Sequence, residues 1–164
     1  MTDTKKRAEP TVTIDGHRYT ASEFAAAKNL TVGGYLDLSG TQITALPEGL
    51  RVEGYLDLRD TQITALPEGL RVGGNLSLRD TQITALPEGL RVGGDLDLDP
   101  YEVVFDRNEG VLKIGCQHHS IGDWEAFTDN QIIGMDGKAA LKFWRVWKAP
   151  LLAWATALTT KAEA

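Results

Sequence analysis

Cys116 is the one cysteine of the chain, so no disulfide can close within it, and a reducing, cytoplasmic setting is expected. Long apolar runs are missing as well. Lys142, Arg145 and Lys148 break up the most hydrophobic segment, so no stretch reaches the ~18 uninterrupted apolar residues of a membrane span. The opening MTDTKKRAEP lacks the apolar core of a secretory signal. Positive charge is in short supply: 17 Lys and Arg stand against 23 Asp and Glu, a formal net charge of -6. That balance argues against a protein that binds nucleic acid by neutralising many phosphates. Phosphate-cradling glycine loops, nucleophile elbows and metalloprotease helices do not occur, and no cofactor is expected.

Repetition takes their place. LTVGGYLDLSGTQITALPEG at 30–49 is followed by LRVEGYLDLRDTQITALPEG at 50–69, LRVGGNLSLRDTQITALPEG at 70–89 and the start of a fourth copy, LRVGGDLDLD, at 90–99. A unit this short cannot bury its own apolar face and must stack on its neighbours, which predicts a solenoid. The buried ladder is expected to run through Leu36, Leu38, Ile43, Leu46, Leu50 and Val52, through the same places in the second copy, and on to Leu96 and Leu98. Leu-x-Leu alternation predicts a strand with one face inward. The glycines before it (Gly33, Gly34, Gly54, Gly73, Gly74) supply positive φ or close backbone approach, Leu-Pro-Glu-Gly turns the chain, and Thr41, Thr61 and Thr81 are placed for their hydroxyls to satisfy turn amides.

The pattern Leu-x-Leu-x-x-Thr-x-Ile-x-x-Leu-Pro resembles the leucine-rich repeat, in particular the short bacterial class with Leu-Pro found in type III secretion effectors. It covers residues 30–99, with Thr where that family's ladder has Asn, and Gly33, Glu53, Gly73 and Gly93 where it has an upstream leucine. The resemblance implies an α+β chain: a leucine-rich-repeat-like β-solenoid of about four coils, with capped ends and a protein-binding strand face. Such effectors often carry a ubiquitin-ligase domain with a Cys-x-Asp motif. Cys116 lies instead in Gly-Cys-Gln-His-His, before a region too short for that domain, which rejects the ligase activity.

The second and third copies differ only at Glu53/Gly73, Tyr55/Asn75 and Asp57/Ser77, while TQITALPEG is kept in all three. Positions alternating with the strand leucines point outward. Stacked, they predict three columns: Tyr35, Tyr55, Asn75 and Asp95; Asp37, Asp57, Ser77 and Asp97; Ser39, Arg59, Arg79 and Asp99. At about 4.8 Å between strands the patch is roughly 15–20 Å long, the size of a partner's loop or helix. Tyr and Arg are the residue types that dominate interface energetics. Tyr35, Asp37, Tyr55, Asp57, Arg59, Asn75, Arg79, Asp95 and Asp97 are therefore the partner-binding candidates on this face. A flat ladder of outward carboxylates does not converge as calcium requires, and the nearby arginines dilute any mimicry of nucleic acid; no metal is expected.

The repeat has different neighbours at its two ends. Residues 1–10 are expected to form a flexible tail and 11–29 an N-terminal cap, with a hairpin around Asp15-Gly16 and a helix started by Thr20 or Ser22. Residues 100–164 form a strand and helix cap, with two strands around Asn108-Glu109-Gly110 and short helices opening at Ser120 and Thr128. In the final helix Ala140, Trp144, Trp147, Leu151, Trp154 and Leu158 make one apolar stripe, with a kink expected at Pro150. The stripe either caps the last coil or presents Trp144, Trp147 and Trp154 to a partner or a second copy of the chain. A protein partner is thus expected, acting as in an inhibitor that occludes a bacterial host or defence factor, possibilities the resemblance to bacterial and phage-borne repeat proteins suggests. The alternative is a small enzyme or metal protein centred on Cys116, His118 and His119, for which strand alternation would place Cys116 and His118 on one face.

Overall fold

Leucine stacks on leucine through the length of the repeat. In a computed structural model, which describes residues 9–160, each 20-residue unit is one coil of a β-solenoid. An N-terminal hairpin, β1 (Thr11–Ile14) and β2 (His17–Thr20), and the short helix α1 (Ala21–Ala26) precede it. The coils then alternate two strands each: β3 (Thr31–Val32) and β4 (Leu36–Asp37), β5 (Arg51–Val52) and β6 (Leu56–Asp57), β7 (Arg71–Val72) and β8 (Leu76–Ser77), and β9 (Arg91–Val92) and β10 (Leu96–Leu98). Strands β11 (Tyr101–Asp106), β12 (Val111–Ile114) and β13 (Gln117–Ser120), then α2 (Ile121–Ala126) and α3 (Asp129–Thr160), complete the chain. Three turns are complete, and a fourth is begun.

The expected Leu-x-Leu strand is only one of two in each coil. Parallel pairing puts Leu36, Leu56, Leu76 and Leu96 in register in one sheet. Val32, Val52, Val72 and Val92 are in register in a second, four-stranded sheet. The glycines between the two strands serve close approach: a Cβ on Gly54 would lie 2.8 Å from the Gly34 carbonyl oxygen. Each predicted ladder residue from Leu36 to Val72, and Leu96 and Leu98 with them, is buried. The threonine hydroxyls act in the opposite sense to the one expected. Thr41, Thr61 and Thr81 donate to the carbonyls of Leu38, Leu58 and Leu78 at 2.6–2.7 Å, rather than accepting from turn amides.

One position explains why the repeat stops. Gly40, Asp60 and Asp80 take φ of +65, +55 and +53° at the bend after the strand. Glycine tolerates that region freely, and aspartate more readily than most residues. Pro100 stands at the corresponding place in the fourth copy, and its ring holds φ near -65°. The bend cannot be made there. The chain instead reverses into β11, antiparallel to β10, and the β11–β12–β13 meander extends the first sheet to seven strands.

Both ends are closed by apolar caps. Val12, Ile14 and Phe24 belong to the same buried cluster as the solenoid leucines, and so do Trp124, Trp144, Trp147 and Trp154. Of the flexible tail expected over 1–10, residues 1–8 lie outside the described residues, while Pro10 accepts a 2.8 Å hydrogen bond from Ala21. In α3 the helical backbone breaks at Asp136 and Gly137, where Gly137 takes φ +68°, and not at Pro150, which lies within the helix. Proline's own φ suits a helix; a residue with positive φ does not.

Candidate interaction surface

The outward side chains of β4, β6, β8 and β10 stand in columns as the register requires, but they divide into two chemically different halves. In the third and fourth coils the polar groups are engaged with one another. Asn75 accepts from the Asp95 amide at 3.0 Å, and Ser77 donates to Asp97 at 3.2 Å. Arg79 lies 3.6 Å from Asp97 and 3.7 Å from Asp99. Each of these polar side chains thus has a partner in the neighbouring coil.

The first two coils carry the aromatic groups. Tyr35 and Tyr55 stack with ring centroids 5.1 Å apart and planes only 5° from parallel. Tyr35 leaves 54 % of its surface in solvent. Partial burial and the carboxylates of Asp37 and Asp57 push its phenol above the ordinary tyrosine range. It is neutral at physiological pH and able to donate.

Beside the stack, Arg59 grips Asp57 with Nε at 2.9 and 3.0 Å and Nη2 at 2.5 Å, and the Arg59 amide adds a bond at 3.1 Å. The sequence pattern marked Asp57 as outward and exposed. Its carboxylate is instead fully buried, whereas the arginine side chain is 49 % exposed. Stacked strands on both sides, with Asp37 and Ser77 as cross-strand neighbours, and the arginine fork over the top account for the burial. The hydrogen bond to Asp57, then its charge, raise the Arg59 guanidinium further above its already high range. Asp37, in the first coil, has Ser39 where Asp57 has Arg59. Hydrogen bonds from the Ser39 hydroxyl at 2.6 Å and amide at 2.9 Å hold its carboxyl below the usual range, and the charge of Arg59 adds to this. Asp37 is therefore ionised and exposed.

The other expected surface is not available. Trp144, Trp147 and Trp154 are all buried within the chain: Trp154 donates to the Leu90 carbonyl at 3.3 Å, and the Trp124 and Trp144 rings lie 5.1 Å apart. They make the cap over the last coil, and the large exposed hydrophobic side chain on that helix's later part is Val146.

Cys116 sits in the β12–β13 turn rather than on a strand, so alternation does not pair it with His118. His119 packs edge-on against Trp124 and Phe127, and its Nε2 is 3.4 Å from Gln117 Oε1. Among the described residues no hydrogen bond joins the thiol to either histidine, and no three His, Cys, Asp or Glu side chains gather in a way that could hold a metal ion. A cavity of about 200 Å³ adjoins the thiol, lined chiefly by apolar groups such as Ile114, Met135 and Phe143. At its edge Tyr101 donates to Asp136 at 2.7 Å. Among the described residues no helix is long and apolar enough to cross a membrane.

The fold defines the class as a capped β-solenoid repeat protein. Compared with protein-family models, curated proteins and solved structures, the chain finds no match.

Proposed function

We propose that the chain is a non-enzymatic protein-binding module whose contact surface is the outward face of its first two coils. The observation that carries this is the Tyr35–Tyr55 stack beside Arg59, whose guanidinium is fixed on a buried carboxylate yet half open to solvent. Rigid aromatic rings and an oriented arginine lose little side-chain entropy on binding, which is why such groups dominate interface energetics. Stacked coils hold them at fixed spacing. The resemblance of the repeat to the short bacterial leucine-rich class, and the acidic, compact character of the chain, favour an inhibitor that occludes a bacterial host or defence factor, of the kind carried by phages and mobile elements.

The experiment is capture from bacterial lysate on the immobilised full chain, beside a Tyr35→Ala/Tyr55→Ala variant and a Gln82→Ala control on another side of the coil, with folding checked by circular dichroism. A partner retained by the chain and the control and weakened at least about thirtyfold by the tyrosine variant supports the assignment, the loss expected for paired hot-spot residues. Retention by the tyrosine variant removes it. A Cys116→Ser variant separates this function from thiol chemistry, since binding should be unchanged.

A further inference from the structure

Within the solenoid, every coil's outward strand is hydrogen-bonded to the next, and among the described residues no strand pairs with the first coil on its other side. Tyr55, Asp57 and Arg59 accept through their carbonyls from the amides of Leu36, Leu38 and Gly40 at 2.8–2.9 Å. In the third coil Asn75, Ser77 and Arg79 accept from Leu56, Leu58 and Asp60 at 3.0–3.3 Å. The corresponding carbonyls of the first coil are those of Tyr35, Asp37 and Ser39. Among the described residues none of them accepts a backbone hydrogen bond, and the Asp37 amide makes none. Strand β4 is the edge of the seven-stranded sheet, and the β1–β2 hairpin pairs with itself and not with β4. The apolar floor of the coil is covered, since Leu36 and Leu38 are buried, but among the described residues the row of backbone groups pairs with no other strand. Edges of this kind are templates for an added strand.

We propose that the open edge of β4 takes up an extended segment of a partner protein as a parallel strand, of the form aromatic-x-x-x-Arg. The inference rests on the first two coils being the contact surface and says how a partner would engage them. Three features define the occupant. Its amides would donate to Tyr35, Asp37 and Ser39, as those of Leu36, Leu38 and Gly40 donate to the second coil. An aromatic ring opposite Tyr35 would extend the existing stack, because Tyr35 has one face on Tyr55 and half its surface still open. Charge selects the arginine. Asp37 is an ionised carboxylate whose own coil has Ser39 in place of arginine, while Arg79 reaches Asp97 of the following coil at 3.6 Å. An arginine opposite Ser39 would reach Asp37 by the same step. Tyr55 and Arg59 already have this spacing within the chain.

The test uses the full chain, labelled with nitrogen-15, and the synthetic peptide acetyl-Gly-Tyr-Thr-Ser-Thr-Arg-Gly-amide. At saturating peptide the Asp37 amide should exchange with solvent at least about tenfold more slowly, as for an amide that gains a ladder hydrogen bond. The Tyr35 ring resonances should shift, while the Thr31 and Val32 amides of the other sheet stay unchanged. Asp37→Pro should abolish binding without unfolding the chain, because proline is tolerated where an edge amide faces away from the sheet. Asp37→Asn, which keeps the backbone and the bonds from Ser39, should weaken binding about two- to fivefold at low salt, as for an exposed ion pair. Shifts at Tyr35 and Arg59 without protection of the Asp37 amide would overturn the edge inference and leave the face as the binding surface. No response at millimolar peptide would overturn it equally. A lysate partner that survives Tyr35→Ala/Tyr55→Ala would instead remove the face assignment itself.

Discussion

Thr20 and Ser120 hold the same place in two copies of one structural unit, at opposite ends of the molecule. The Thr20 hydroxyl accepts from the Glu23 amide at 3.2 Å, and the Ser120 hydroxyl from the Asp123 amide at 3.1 Å. Each acidic side chain reaches back to the amide of its cap, at 2.8 and 3.3 Å. Both caps follow a hairpin, both open a six-residue helix, and both helices bury one aromatic ring, Phe24 in the first and Trp124 in the second. The solenoid is thus closed at each end by a strand–strand–helix device. At the C-terminal end β11 stands between this device and the coils; at the N-terminal end no such strand occurs among the described residues.

The matched caps give a first prediction. A lost N-cap costs about 0.5–2 kcal/mol, and the shared aromatic makes each short helix depend on its start. Thr20→Ala and Ser120→Ala should each lower stability by about 1 kcal/mol in urea titrations. Their costs should add in the double variant, because the units do not touch the same groups. Strong non-additivity would mean that the two ends unfold as one coupled element.

Arg59 and Asp57 predict an asymmetry. Removing the arginine leaves a fully buried carboxylate without its cation, whereas replacing the acid leaves an arginine that is already half in water. Arg59→Ala should therefore be the more destabilising of the two changes, though by less than the breaking of a wholly buried pair, because the cation is partly exposed. Asp57→Ser imitates the third coil, where Ser77 occupies the column, and should cost less. Thermal unfolding of the two single variants and the double variant measures the difference. If Asp57→Ser is the more destabilising, the carboxylate contributes more than charge pairing.

Two glycines at equivalent places in successive coils should respond differently to alanine. Around Gly34 an added Cβ would meet nothing within 4 Å, but at Gly54 it would lie 2.8 Å from the Gly34 oxygen, closer than real Cβ contacts come. Neither glycine has positive φ, so sterics alone separate them. Gly34→Ala should be neutral or stabilising by up to about 1 kcal/mol through the unfolded chain. Gly54→Ala should cost about 1–3 kcal/mol by forcing the coils apart. Denaturation midpoints of the pair decide it, and equal values would contradict the stacking described for these coils.

Much of the fold was legible in the sequence because its signals are local or periodic. The leucine ladder follows from the repeat, the hairpins from Asp15-Gly16 and the Asn108–Gly110 turn, and the helix starts from Thr20, Ser120 and Thr128. What escaped depends on neighbours far along the chain. The Arg-Val strands of the second sheet are two residues long, too short to show a period, and exist because three other coils lie in register with them. Asp57 reads as an outward polar residue; its burial arises only once coils stack on both sides and Arg59 folds over it. The repeated end unit is concealed because its copies share Ile14 with Ile114 and Ala26 with Ala126 but few other identities. The tyrosine and arginine columns were visible, whereas their division into an engaged half and an open half required the contacts of Asn75, Ser77 and Arg79.

Tyr101 links the fold to pH. Its phenol is partly buried against the C-terminal cap and donates to Asp136, beside the break in α3, and burial followed by that hydrogen bond pushes its pKa up to about 12. In the unfolded chain the phenol titrates near 10, so between about pH 10 and 12 the unfolded state gives up a proton that the folded state retains. Stability is therefore fully present below pH 10 and declines as pH rises through this window. The cap should loosen as Asp136 loses its donor, since deprotonation would set two negative oxygens against each other. Tyr101→Phe removes the titrating group: the variant should be less stable than the parent at neutral pH, through the lost hydrogen bond, and should show a shallower decline above pH 10. Urea unfolding at a series of alkaline pH values, followed by tryptophan fluorescence, measures both slopes. Equal slopes would assign the alkaline loss to other groups and leave the Tyr101–Asp136 bond without a part in it.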